Sequence, residues 1–156
     1  MKILCVNAGS SSLKFQLYEM PEEISIISGY VEKIGAKDSF YTIKHDGNKV
    51  ETKAPIKDHT EAVKIMLDEL INYGVVKDLE EIRGVGHRVL HGGEKYADSV
   101  VITDEVLNDI KNLTKLGPLH HPGNIAGIKA MQKALPDAVQ VAVFDTVFHQ
   151  TIPKVQ

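Results

Sequence analysis

The sequence has little of several features that would assign it to a specialised class of protein. Its 156 residues contain one cysteine, Cys5, which excludes an internal disulfide framework and is typical of a reducing compartment. No apolar run approaches the roughly 18 residues that a membrane span requires, and the opening run is too short for a signal peptide. The formal net charge is only −3, which argues against a strongly basic nucleic-acid-binding face. We therefore expect a cytoplasmic globular protein that binds neither nucleic acid nor membrane.

The remaining composition is that of an ordinary globular domain. Hydrophobic residues make up 43% of the chain and charged residues 25%, with no internal repeat, low-complexity tract or linker. A chain of this length buries roughly 70% of the surface that its unfolded form exposes, which is enough for a proper core. We therefore expect one domain over residues 1–156.

The first third of the chain is predicted to form strands. A short apolar run covers residues 2–7, and residues 13–18 alternate between apolar and polar side chains with period two. A turn of small residues joins these two segments, so they are expected to pair as a β-hairpin. A third strand is predicted over 24–31, and an Asp-Gly turn indicates two more extended segments around 41–43 and 49–51.

The first helix has clear signals at both ends. Asp58, followed three residues later by Glu61, is an N-terminal capping pattern, and Gly74 is a typical C-terminal stop. Between them, apolar residues recur at helical spacing and predict a buried face. These residues are Val63, Met66, Leu67, Leu70 and Ile71.

Two further helices and two strands complete the predicted order. Strands are expected over 84–90 and 139–144, and helices over 104–116 and 122–135, the first of these helices capped by Thr103. Strands and crossover helices in this order predict an α/β fold, a mixed sheet with helices on its faces. Functional residues in such a sheet are expected at strand ends and in the turns that follow them.

A turn rich in small residues separates the first two strands. Asn7, Ser10, Ser12 and Lys14 lie in or beside it. Backbone N–H groups, hydroxyls and a lysine charge are the donors that a phosphate site needs. The segment is not a Walker loop, because GxxxxGK[ST] is absent and a strand follows it. A plain hairpin turn with exposed serines is the alternative that these residues leave open.

Three other polar clusters lie at strand or helix ends. Arg88, within 86–94, suits bidentate recognition of a carboxylate or phosphate, although a surface ion pair would also explain it. Asp145, directly after the last strand, suits a Mg²⁺–nucleotide complex, although it could simply cap a turn. The segment 117–124 has two adjacent histidines but no partner at metal-ligand spacing, so a zinc site is not expected. Together the clusters favour phosphoryl chemistry.

Four segments of the sequence resemble the acetate kinase family. NAGSSSLKFQLYEM is very close to the opening signature of that family, and GHRVLHGGE resembles its second signature. PLHHPGNIAGI and VAVFDTVFHQTIP resemble two further family blocks, and the four occur in the family's order. The similarity extends from residue 1 to residue 156.

The resemblance implies a fold and a reaction. The fold would be the ribonuclease H-like mixed sheet flanked by helices of the acetate and sugar kinase, Hsp70 and actin superfamily, as the first of two family domains. The reaction would be the reversible, Mg²⁺-dependent transfer of the γ-phosphate of ATP to acetate, giving acetyl phosphate and ADP. The partners would be acetate and ATP, and the full-length parent would be a homodimer.

The resemblance also assigns roles at the polar turn and after the last strand. It implies that Ser10, Ser12 and Lys14 bind the phosphates of the nucleotide. Asn7 and Asp145 would belong to the Mg²⁺ site, with Asp145 an essential catalytic carboxylate. This set agrees with the physics of phosphoryl transfer, which depends on positioning and charge neutralisation.

The resemblance assigns the acyl substrate to other positions. Arg88 would be catalytic, because it would engage both the carboxylate and the transferred phosphoryl group, and Leu90 and Leu119 would line the pocket for the acetate methyl group. Leu90 stands where the family commonly has Val, which should narrow the pocket against propionate and butyrate. Two more departures, His121 for Asn and Gly123 for Ala, lie in the histidine-containing cluster.

Length is the largest departure from the family. Family members are more than twice as long, with nucleotide-binding segments and further catalytic residues beyond position 156, so this chain is expected to be an N-terminal fragment that is inactive alone. A propionate or butyrate kinase is an alternative for the parent. A non-catalytic phosphate-binding domain or an Hsp70-like nucleotide switch is an alternative of another class. A two-metal nuclease is disfavoured, because Asp145 alone supplies an acidic group at the strand ends.

Overall fold

The structure, a computed structural model, describes residues 1–89, 99–116 and 123–144. These residues form one eight-stranded sheet and three helices. The strands are β1 (Lys2–Ala8), β2 (Leu13–Glu19), β3 (Ile24–Glu32), β4 (Phe40–His45), β5 (Asn48–Lys53), β6 (Ile82–Val89), β7 (Val100–Val101) and β8 (Val139–Phe144). The helices are α1 (His59–Asn72), α2 (Asp104–Leu116) and α3 (Gly123–Ala134), and a 3₁₀ turn over Leu79–Glu81 precedes β6.

The sheet is mixed, with the strand order β5-β4-β3-β2-β1-β6-β8-β7. Strands β1 to β5 form an antiparallel meander, whereas β1, β6 and β8 run parallel to one another and β7 pairs antiparallel with β8. The predicted hairpin and the predicted mixed sheet are confirmed. The sequence pattern does not predict β7, because two residues are too few to show a period.

One face of the sheet is apolar and packs against helices, and we call it the helix face. Side chains alternate between the two faces of a strand, and the buried Leu4, Val6 and Phe15 point to this one. α1 and α3 contribute to the same apolar cluster, and α2 packs on α3 and on Ala142 of β8. The mixed sheet is flanked by helices as the sequence predicts, and all three described helices lie on this face. The connections from β1 to β6 and from β6 to β8 both join parallel neighbours and move across the sheet in the same direction. Because such connections are right-handed, their helices lie on the same side of the sheet.

α1 begins and ends as the sequence predicts, but its buried face is narrower. The Asp58 carboxylate accepts from the Glu61 N–H at 2.9 Å, and the Glu61 carboxylate accepts from the Lys57 N–H at 2.7 Å. Leu70 is fully buried, but its neighbour Ile71 is 40% exposed, so the prediction of Ile71 as a core residue is wrong. Its position falls outside the stripe that meets the sheet.

α2 and α3 form a second, smaller apolar cluster. The Thr103 hydroxyl accepts from the Val106 N–H at 3.3 Å, which confirms the predicted cap of α2. Val106 and Ile110 of α2 pack with Ile128 of α3. The start predicted for the third helix at Pro122 lies outside the described residues. Among the described helices, none has the length and apolar character that crossing a membrane requires.

Candidate functional site

Polar residues at the ends of neighbouring strands form a row on the second face of the sheet, which we call the site face. β1 and β2 pair Asn7 with Lys14. β1 and β6 pair Val6 with His87, so Asn7 and Arg88 follow as the next residues on two neighbouring strands. Because Val6 and His87 are buried on the helix face, Asn7, Lys14 and Arg88 point to the site face. The structure thus brings together three of the predicted site residues.

β6 has no side chains on the site face immediately before Arg88. Gly84 and Gly86 occupy those positions. Among the described residues, a Cβ atom at Gly86 would meet only Val143 Cγ2, at the ordinary contact distance of 3.9 Å. β6 itself therefore places no side chain on the site face next to Arg88.

The turn between β1 and β2 has a defined backbone. The Gly9 N–H donates to the Ser12 carbonyl at 2.9 Å, and the Ile34 N–H donates to the Ser11 carbonyl at 2.9 Å. A Cβ atom at residue 9 would lie 2.4 Å from the Ser12 hydroxyl oxygen, so a larger residue there would displace that hydroxyl. Ser10 is exposed and Ser12 is half-buried. The two hydroxyls predicted to bind phosphate are therefore carried by a turn whose conformation is fixed by the surrounding protein.

His59 holds this turn from the helix side, and it is not among the site residues predicted from the sequence. It is the first residue of α1 and is 7% exposed. Its Nε2 atom lies 2.8 Å from the Gly9 carbonyl oxygen and 3.1 Å from the Ser12 carbonyl oxygen. One signal could have found it: a histidine three and four residues before Ala62 and Val63 extends the apolar stripe of α1 with a polar side chain.

The start of α3 packs against the same histidine. A Cβ atom at Gly123 would lie 2.6 Å from His59 Cε1 and Nε2 and 2.9 Å from the Gly9 carbonyl oxygen. The next residue, Asn124, is buried, and its side-chain oxygen accepts from the Ile125 N–H at 2.8 Å. Glycine at 123 therefore allows the helix to approach the turn closely.

His87, immediately before Arg88, is buried on the helix face. Its Nε2 atom lies 2.7 Å from the Gln140 side-chain oxygen, so Nε2 carries a proton and donates to that oxygen. Burial lowers the pKa of His87 to about 4, although the hydrogen bond that His87 donates to Gln140 opposes the shift. His87 is therefore neutral at pH 7 and acts in packing, while its neighbour Arg88 faces the site.

Of the two predicted Mg²⁺ ligands, Asn7 and Asp145, only Asn7 is among the residues that the structure describes. Asn7 is half-buried at the end of β1. Asp145 lies outside the described residues, directly after the last residue of β8, and so do Leu90 and Leu119. Within 1–89, 99–116 and 123–144, no group of three His, Cys, Asp or Glu side chains could hold a metal. An amide oxygen and a carboxylate are nonetheless hard oxygen donors, the type that Mg²⁺ prefers, so the chemistry of this donor pair fits the ion.

The fold and the sequence together define the class of protein. A mixed sheet of this order flanked by helices, with polar residues at the ends of its parallel strands, is the first domain of the acetate and sugar kinase, Hsp70 and actin-type fold. The chain belongs to the acetokinase family, whose sequence profile matches residues 2–156.

Three known proteins illustrate the similarity. An acetate kinase from Geobacillus sp. (strain WCH70) is 56% identical over 153 residues, which cover 98% of this chain and 38% of that protein. The crystal structure of Porphyromonas gingivalis acetate kinase superposes with a TM-score of 0.88 at 45% identity, covering 98% of this chain and 39% of that one. A propionate kinase from Francisella tularensis superposes with a TM-score of 0.84 at 38% identity, with the same coverage. The chain thus spans less than half the length of the relatives it matches.

Proposed function

We propose that these residues are the N-terminal domain, 1–156, of an acetate kinase, an enzyme that reversibly transfers the γ-phosphate of ATP to acetate. The observation that carries the proposal is the row of Asn7, Lys14 and Arg88, in a chain of the acetokinase family. This row lies beside the turn of residues 9–12 between β1 and β2, which we call the serine turn. Two cations and several hydrogen-bond donors at the ends of neighbouring central strands are suited to bind a nucleotide phosphate and a carboxylate.

Each site residue that the structure describes has a role in this proposal. Ser10, Ser12 and Lys14 bind the phosphate groups of the nucleotide through hydroxyls and an ammonium group. Arg88 binds the carboxylate of acetate and neutralises the charge that develops on the transferred phosphoryl group, because its guanidinium presents several donors in a plane. A carboxylate oxygen of acetate forms the new bond to phosphorus, and the bond from phosphorus to the bridging oxygen of ADP breaks.

Asn7 and Asp145 are proposed to hold Mg²⁺, which would neutralise the negative charge of the ATP phosphates. The described residues contribute Asn7 to this pair, at the point where β1 ends. Asp145 supplies the charged ligand and follows β8 directly in the sequence. Asp145→Asn is expected to lower the affinity for Mg²⁺. A titration of the rate with Mg²⁺ would then show a higher Mg²⁺ concentration at half-maximal rate.

The acyl specificity is proposed to depend on Leu90 and Leu119. A propionate kinase among the structural relatives makes a longer acid the second candidate substrate. Leu90 is larger than the Val common in the family, so we expect acetate to be preferred and Leu90→Val to shift the preference towards propionate. One methylene in an apolar pocket changes kcat/KM by roughly 10- to 200-fold, which a comparison of acetate with propionate resolves.

The first test compares this chain with the same chain continued to its natural stop codon, which we call the extended protein. Each is assayed for acetyl phosphate formation from ATP and acetate with Mg²⁺. We expect activity in the extended protein alone, because the 156-residue chain spans only about 38% of its relatives and carries one wall of the site. No activity in either protein would contradict the proposed function, and activity in the short chain would contradict the division of the site.

Assembly and location belong to the same proposal. We propose a homodimer for the extended protein and a cytoplasmic location, as the sequence predicts. Sedimentation of the extended protein tests the first statement, and fractionation of cells that express it tests the second. A binding-only role is the competing function, and it predicts nucleotide or phosphate binding by the extended protein without formation of acetyl phosphate.

A further inference from the structure

The hydrogen bonds of His59 show which atom is the donor. Both partners of Nε2, the carbonyl oxygens of Gly9 and Ser12, can only accept. Nε2 therefore carries a hydrogen and shares it between two carbonyls at opposite ends of the turn.

The same bonds direct the negative ends of the turn's peptide dipoles towards the protein. The Gly9 and Ser12 carbonyls are bound by His59, and the Ser11 carbonyl is bound by the Ile34 N–H at 2.9 Å. A carbonyl oxygen that faced a phosphate would repel it. Fixing three carbonyls on the protein side removes that repulsion and keeps the hydroxyls as the polar groups available to a ligand.

The imidazole has little freedom to leave this position. The start of α3 lies against it, since even a methyl group at Gly123 would be 2.6 Å from Cε1 and Nε2. His59 is also 7% exposed and begins the buried stripe of α1. The turn, α1 and α3 therefore meet at one side chain.

We propose that His59 is a positioning residue for phosphate transfer: by donating to the Gly9 and Ser12 carbonyls, it holds the serine turn in the conformation that binds the nucleotide phosphate. This inference rests on the proposed function. His59 acts through the turn, and its effect is distinct from that of Arg88, which binds the acyl substrate. Loss of the donor should therefore impair the use of ATP and leave the binding of acetate unchanged.

Three substitutions in the extended protein separate the hydrogen bond from the space that the ring fills. In His59→Gln the amide nitrogen can reach the position of Nε2, in His59→Asn the same group is too short, and His59→Leu fills the space without a donor. We expect kcat/KM for ATP to fall about 10- to 100-fold in the Asn and Leu variants and less than about threefold in the Gln variant. The KM for acetate should stay within about twofold in all of them. Equal losses in the Gln and Asn variants would overturn the proposal, because packing alone would then explain the effect.

Amide hydrogen exchange separates this inference from the proposed function. The Gly9 N–H donates to the Ser12 carbonyl, one of the two oxygens that His59 holds. Its exchange in the extended protein without substrates should be about 10-fold faster in the Asn and Leu variants, and close to wild type in the Gln variant. If the wild type forms no acetyl phosphate, the proposed function fails and the exchange pattern still tests whether His59 orders the turn. An active wild type with no difference among the three variants, in rate or in exchange, would overturn the role of His59 alone.

Discussion

The two faces of the sheet separate stability from chemistry along the same strands. On the helix face, Val6 and His87 are buried against helices and apolar side chains. On the site face, the next residues, Asn7 and Arg88, are half-buried and polar. Because side chains alternate, adjacent positions in β1 and β6 belong to different environments. A one-residue step along a strand here separates a residue buried in the core from one that is proposed to bind ligand.

The largest expected effect comes from Arg88 on the site face. Arg88→Lys in the extended protein should lower kcat/KM for acetate by about 10²- to 10³-fold, because a lysine cannot bind the carboxylate with two parallel hydrogen bonds. Steady-state kinetics measure the loss. Arg83→Lys, an exposed arginine on the same strand, is the control and should change little. A loss below about fivefold for Arg88→Lys would contradict its catalytic role.

In α1, which packs on the helix face, the expected effect is on stability alone. Leu70→Ala should lower the free energy of unfolding by about 2–5 kcal/mol, because a fully buried side chain leaves a cavity. Ile71→Ala, one position along α1, should cost well under about 1 kcal/mol, because Ile71 is 40% exposed. Urea unfolding of both variants gives the two values. Equal costs would show that α1 packs with a wider face than the structure has.

His87, buried on the helix face, is expected to make the stability of the fold depend on pH. Its pKa of about 4 in the folded chain lies below the value of about 6.5 for an unfolded histidine. As the pH falls from 6.5 to 4, the unfolded chain takes up a proton that the folded chain does not, so stability decreases by about 3 kcal/mol over this window. Urea unfolding across that range tests the prediction. His87→Gln should remove this part of the pH dependence, and an unchanged slope would assign it to other groups.

The smallest expected effects are at the start of α3, where the helix face meets the serine turn. Gly123→Ala should destabilise by about 1–3 kcal/mol, since a Cβ atom there is too close to His59 and to the Gly9 carbonyl. A Cβ atom at Gly127, on the same helix, would have no atom of the described residues within 4 Å, so Gly127→Ala should stabilise by about 0.5–1 kcal/mol. Thermal unfolding resolves the opposite signs, and a loss for both would argue against the close approach at Gly123.

Much of the sheet was predictable because its strands have a regular pattern. Leu13, Phe15 and Leu17 alternate with polar residues, and the structure buries all three. Where the structure differs from the sequence prediction, tertiary packing is the reason. The apolar pattern of α1 includes Ile71, but the sheet surface does not extend under it.

The residue types of the candidate site were predictable from the sequence. The long-range contacts that position these residues were less predictable. The small residues between Asn7 and Lys14 indicate a phosphate turn, and the pairing of these two residues follows from the hairpin. The adjacency of Asn7 and Arg88 needs the register between β1 and β6, which no local pattern contains. The stripe of α1 can indicate that His59 is buried, but it cannot indicate its partners, which are backbone carbonyls about fifty positions away in the sequence.

The register between β1 and β6 also bears on the order in which the chain folds. Lys2 donates to Glu81 at 3.0 Å and to the Val75 carbonyl at 2.8 Å, contacts that span 79 and 73 residues of sequence. The meander from β1 to β5 pairs neighbours in sequence, so its loops close quickly, whereas the β1–β6 pair must close a much longer loop. During synthesis the residues of the serine turn and its strands are complete before Arg88 is added, so we expect Arg88 to join Asn7 and Lys14 in a later, long-range step of folding.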